Sequence, residues 1–319
     1  MLLPKPLLLL TITILFCTAT GYSQYGWLDP DSRDFDLRAE RKFSDETIEQ
    51  LKKTQTVFFY PGSIRPQLDS LKRVVSESWD LTKVIFDEAS NISNYMDPKY
   101  SIFSIEAIDD GAGSHVSIHY LLALRLITEV SKKGKPKKPI ALCRIDLFPN
   151  EKSLMKKAKG FGKELKKMDE IYEDGIFLNF SPVLIKAQLQ RASDNIKNKI
   201  RPKMTEFIKT DNFSQLLAND TLYIPVSVLE AYDPLTWNDK TNNDNLFKNY
   251  PHKYRFCTDA ELYQIFETEQ RGRLLFEFVC SSYEKIVTIY DLKDKKPVYR
   301  QQSFMRYHLN ETDIERLLE

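Results

Sequence analysis

The sequence predicts an α+β protein in which helices pack on a mainly antiparallel sheet. Three observations carry that prediction. Thr56 to Tyr60 (TVFFY) is a β-branched and aromatic run closed by Pro61-Gly62, which reads as a strand ending in a turn. Pro182 to Ile200 places Ile185, Leu189, Ala192, Ile196 and Ile200 at helical spacing, with Lys186, Gln190, Asp194 and Lys197 elsewhere around the axis. Leu274–Cys280, Lys285–Asp291 and Val298–Phe304 are three apolar runs joined by short links, the pattern of an antiparallel meander.

The elements follow in chain order. Gln24 to Arg41 is rich in Asp and lacks a core of its own. Ser44 caps a helix, and Phe43 can pack on Ile48 across the cap. Pro66 opens a second helix with Leu68, Leu71, Val75 and Trp79 on one face. Lys83–Phe86, Tyr100–Ile108, His115–Tyr120 continuing toward Ile127, and Pro139–Phe148 read as strands. The long helix starts with Ser181 as cap and Pro182 as first residue, and Arg201-Pro202 ends it. Its apolar stripe needs a partner, most simply the face of a sheet. Leu222–Leu229 is a strand pattern whose Pro225 cannot donate to a ladder, which places it at an edge or bulge. Asn238–Asn249 is an Asn-rich loop. Thr258 with Glu261, and Asn310 with Asp313, mark two further capped helix starts. Strands and helices do not alternate regularly, so the pattern is not that of a parallel α/β sheet.

The first residues have the layout of an export signal: Lys5, an apolar run from Leu7 to Cys17, and small residues at Gly21 and Ser23. The expected organisation is a signal peptide over 1–23 and one α+β domain over 24–319, with two lobes dividing in the helical middle section as the alternative. The apolar run is shorter than the roughly 20 residues that cross a bilayer, so the mature chain is expected to have no transmembrane anchor. Phe16 before Cys17 disfavours lipidation, because that cleavage site wants a small residue. The expected location is periplasmic or secreted.

The chain is 42% apolar and 29% charged, which fits a folded protein and argues against disorder outside the ends and a few loops. A net charge of +1 gives no overall field for nucleic acid, and none is expected as partner. The charge is uneven, however. Ser131 to Glu170 holds thirteen Lys/Arg against five Asp/Glu. The Lys132–Lys167 segment is either a solvated turn followed by a solvated helix face, or a patch for an envelope protein or an anionic surface.

Removing Cys17 with the signal leaves Cys143, Cys257 and Cys280, an odd number in apolar settings, without the close pairs of a zinc site. Buried thiols are expected; a Cys257–Cys280 bridge stays open. His115 and His119 lie near Asp109 and Asp110, but they alternate with Val116, Ile118 and Tyr120 at strand spacing. Four strand residues span about 13 Å, too far for one ion. Gly111-Ala112-Gly113-Ser114-His115 lacks the G-x-S-x-G order of a nucleophile elbow, and Tyr60-Pro61-Gly62-Ser63 lacks the lysine of a phosphate loop. The sequence therefore assigns no catalytic, cofactor-binding or metal residue. Five Asn-x-Ser/Thr sequons occur, at Asn91, Asn179, Asn212, Asn219 and Asn310, the last better read as a helix cap.

The layout resembles a group of uncharacterised exported proteins of Gram-negative bacteria. Thr56-Val57-Phe58-Phe59-Tyr60-Pro61-Gly62, Ser181-Pro182-Val183-Leu184-Ile185-Lys186-Ala187-Gln188 and Arg271-Gly272-Arg273-Leu274-Leu275-Phe276-Glu277 carry the resemblance. It implies export and the periplasm, and no activity. The expected function is a non-enzymatic, envelope-associated binding or assembly protein. The alternative is a hydrolase or carbohydrate-binding enzyme with a carboxylate site assembled from distant strands, which a deep cleft lined by two carboxylates would favour.

Overall fold

In the computed structural model, residues 41–109, 118–132, 136–137, 139–150, 171–173, 175–203, 206–229, 245–280, 284–304 and 309–319 are described, and they build a five-stranded and a six-stranded sheet with a helix between them, plus two two-stranded pairs. The first sheet begins after β1 (Arg41–Lys42) and α1 (Asp45–Lys52). Ser44 caps α1 as expected, its Oγ accepting from the Thr47 N–H at 3.2 Å. β2 (Gln55–Tyr60) buries its four inner residues, and a 3₁₀ turn over Gly62–Gln67 leads into α2 (Leu68–Ser78). β3 (Lys83–Glu88) returns beside β2. β4 (Tyr100–Asp109), β5 (Ile118–Leu126), the hairpin of β6 (Glu129–Val130) with β7 (Pro136–Lys137), and β8 (Ile140–Leu147) complete this half. The strand order is β3-β2-β4-β5-β8.

Next comes α3 (Pro182–Lys197), then β9 (Ile200–Arg201), which pairs with β1. The second sheet uses β10 (Ile208–Lys209), β11 (Leu222–Pro225), β12 (Tyr254–Cys257), β13 (Leu274–Cys280), β14 (Glu284–Asp291) and β15 (Lys296–Phe304), in the order β10-β15-β14-β13-β11-β12. Three short helices, α4 (Phe213–Asn219), α5 (Asp259–Tyr263) and α6 (Glu311–Glu315), flank it. The expected capping boxes at Thr258/Glu261 and Asn310/Asp313 are both formed.

The α+β class and the C-terminal meander β13-β14-β15 stand as expected. The expectation of a mainly antiparallel sheet needs correction, because both sheets are mixed. β2 runs parallel to β3 and β4, and β11 runs parallel to β12 and β13. The cause lies in the connections. α2 carries the chain from β2 to β3, and α5 lies between β12 and β13; returning through a helix brings the next strand back in the same direction. Pro225 is likewise not on an edge strand, since β11 has neighbours on both sides. It is the last residue of β11, beyond Leu222 and Tyr223, where the pairing with β13 stops. Its missing N–H therefore costs no ladder bond on that side.

α3 differs from the expected one-sided helix. Ile185, Leu189, Ala192 and Ile196 join the main core, while Val183, Leu184 and Ala187 join a second cluster with Leu262, Leu275 and Tyr290. A helix held between two sheets is buried on most sides, so Gln188, Gln190 and Ser193 are buried as well. It stops at Lys197, earlier than Ile200. Lys199 adopts φ 60°, a left-handed residue that turns the chain into β9. The main core is aromatic where α2 meets the first sheet. The Trp79 ring meets Phe103 edge-on at 5.0 Å, and its indole N–H donates to Thr82 Oγ1 at 2.9 Å. Each such buried side chain contributes about 1.5–3 kcal/mol. No helix of the described residues is long and apolar enough to cross a membrane. Residues 1–40, which hold the expected signal, lie outside the described residues.

Candidate functional site

Strand alternation places the site. On β8, Cys143, Ile145 and Leu147 belong to the hydrophobic core, so Arg144 and Asp146 project from the opposite face. On the second sheet, Thr288 pairs with Glu277 on one side and with Arg300 on the other. Paired residues share a face, so Glu277, Thr288 and Arg300 form one polar row across three strands. α3 brings Gln188 and Arg191 to the same place. The result is a cleft of about 50 Å³ between β8, α3 and the second sheet.

Its floor is a hydrogen-bonded network. Arg300 donates through Nη1 to Thr288 Oγ1 at 3.0 Å and through Nη2 to Asp146 Oδ2 at 3.1 Å. Glu277 Oε1 accepts from Asn179 Nδ2 at 2.9 Å and from Gln188 Nε2; Oε2 accepts from the Tyr290 hydroxyl at 2.8 Å. Asn179 also donates to the Asp146 carbonyl at 2.9 Å and accepts from the Phe148 N–H at 2.7 Å, tying the end of β8 to β13. That role leaves the Asn179 sequon buried. At the rim, Arg191 pairs with Glu206, Arg201 Nη1 donates to the Ala141 carbonyl at 3.3 Å, and Lys203 is exposed.

The cleft is cationic. Arg144, Arg191, Arg201, Lys203 and Arg300 line it against two carboxyl groups, Asp146 and Glu277. Polar atoms on its lining that are buried with no hydrogen-bond partner include Arg144 Nη1, Arg300 Nε and Gln188 Oε1. Burial pushes the Arg144 guanidinium down, with Asp146 opposing. Burial raises the Asp146 carboxyl, but Arg144 and Arg300 outweigh it and hold it below the usual carboxylate range. Burial raises Glu277 more strongly than its three donors lower it, so it sits above that range.

The sequence missed all of these residues. The available signal was a charge inside an apolar strand run: Arg144 and Asp146 within Leu142–Leu147, and Glu277 between Phe276 and Phe278. Of the residues weighed from sequence, His115, Asp110 and the Gly111–Ser114 turn lie outside the described residues, as do the side chains of Asp109 and His119. Most of Lys132–Lys167 does too; Lys132 and Lys137 are exposed, and Lys137 pairs with Glu129 at 3.4 Å. Cys143, Cys257 and Cys280 are buried thiols and no Cys257–Cys280 bridge forms. Among the described residues no group of three or more His, Cys, Asp or Glu could hold a metal. No family model, curated protein or solved structure matches the chain.

Proposed function

We propose that this chain is an exported, non-enzymatic binding protein of the cell envelope, periplasmic or secreted after cleavage near Ser23, and that the cationic cleft is its ligand site. One observation carries the binding reading: both carboxyl groups of the cleft are already engaged. Asp146 holds Arg300, and Glu277 accepts three hydrogen bonds from Asn179, Gln188 and Tyr290. The Glu277 carboxyl, with three donors on it, positions the floor and has little left for a water or a leaving group, and Asp146 is held by Arg300 through Oδ2. The surplus of guanidinium groups meets a ligand's negative charge.

A hydrolase is the second reading. Asp146 and Glu277 share one cleft, and their surroundings push them in opposite directions, the pattern of an acid and a base. The full chain, incubated with a panel of chromogenic glycosides and esters, is expected to release no chromophore. Release that disappears in a folded Glu277→Gln variant would establish the hydrolase instead.

A further inference from the structure

We infer that the cleft is a phosphate site, taking inorganic phosphate or the phosphoryl group of a monoester. The inference deepens the binding reading above and rests on it. The unused polar atoms of the cleft define the complement. Arg144 Nη1 and Arg300 Nε are cationic donors on strands of different sheets, both buried and both without a partner. Leaving such groups desolvated costs free energy that an oxyanion returns as charge-assisted hydrogen bonds. Arg300 is 5% exposed, and Asp146 fixes the other end of its guanidinium, so its Nε–H direction is set before any ligand arrives.

The third atom selects among oxyanions. Gln188 Oε1 lines the same cleft as a buried acceptor with no donor, because its amide nitrogen is spent on Glu277. Hydrogenphosphate, and a phosphate monoester bound as its monoanion, offer one O–H alongside their anionic oxygens. Sulfate offers none and would leave Gln188 Oε1 unsatisfied. Size agrees: one water position needs about 10–15 Å³, so a cleft of about 50 Å³ holds a single tetrahedral group. The remainder of a larger ligand would extend past the exposed Lys203.

The test is calorimetric titration of the full chain with inorganic phosphate, sulfate and glycerol phosphate at matched ionic strength. It is run on the wild type, Arg144→Met and Arg144→Lys. Arg144 Nη1 has no partner to lose, and matching unfolding midpoints confirm that the variants fold. Phosphate is expected to bind one to one, more tightly than sulfate. Loss of one charge-assisted hydrogen bond in Arg144→Met should weaken phosphate by about 10- to 100-fold, with Arg144→Lys in between. Tighter glycerol phosphate would identify the monoester as the source, and tighter inorganic phosphate the free ion. Undetectable phosphate binding, equal sulfate binding, or unchanged affinity in Arg144→Met would each overturn the site. These failures are separable from failure of the binding reading, which turnover of a glycoside or an ester would refute.

Discussion

Replacing Glu277 separates shape from hydrogen bonding at the cleft floor. Glu277 is 3% exposed and receives the Asn179 amide, the Gln188 amide and the Tyr290 hydroxyl. Glu277→Leu keeps much of the volume but strands three buried donors. An unsatisfied buried donor costs about 1–3 kcal/mol. Removing a buried carboxyl group offsets part of that, and the Tyr290 hydroxyl can rotate, so the expected loss is about 3–5 kcal/mol. For a chain of this size the corresponding fall in melting temperature is roughly 5–8 °C. Glu277→Gln retains an acceptor oxygen for the two amides and should fall within about 1 kcal/mol of wild type. Urea unfolding followed by tryptophan fluorescence reads both. A Glu277→Leu variant as stable as Glu277→Gln would refute the claim that this carboxyl group organises the floor.

The pH dependence carries a sign that follows from the same floor. Glu277 titrates above its ordinary value when folded, so the native state holds that proton more tightly; wild type should lose stability relative to Glu277→Gln as pH rises from about 4.5 through the folded value. Asp146 behaves oppositely: its contribution is present above about 3.8 and is lost as pH falls through its lowered folded value, a loss that Asp146→Asn should lack. Lys285 and Asp313, 1% and 5% exposed, pin α6 to β14; Asp313→Ala should cost about 3–5 kcal/mol, and the paired Lys285→Met/Asp313→Leu change should recover part of it in urea titrations, the capping-box bond from the Asn310 N–H staying lost. Cys143 is buried and its thiol is pushed up to about 12, so a thiol reagent should leave it unmodified in the native protein. After denaturation, exported protein should titrate three thiols, and a fourth would show that Cys17 was retained.

Local structure was legible because its causes are local. The caps at Ser44, Thr258 and Asn310 need only a side chain and the next turn. The TVFFY run and the meander need only period and propensity. Sheet direction depends on which strands meet through space, so the parallel pairs of β2 and β11 were invisible. α3 was read as one-sided because Val183, Leu184 and Ala187 sit outside the expected stripe, and their partner cluster comes from residues much later in the chain, Tyr223 to Tyr290. The cleft was lost for the same reason. Asn179, Gln188, Glu277 and Arg300 meet only after both sheets close on α3.

The central claim is that the cleft binds an anionic group without transforming it. The most direct measurement follows p-nitrophenyl phosphate mixed with the full chain, with binding read by displacement of phosphate and turnover read by nitrophenol. Displacement at one site per chain with no nitrophenol released is the predicted result. Nitrophenol release that tracks the protein and vanishes in Glu277→Gln would contradict it.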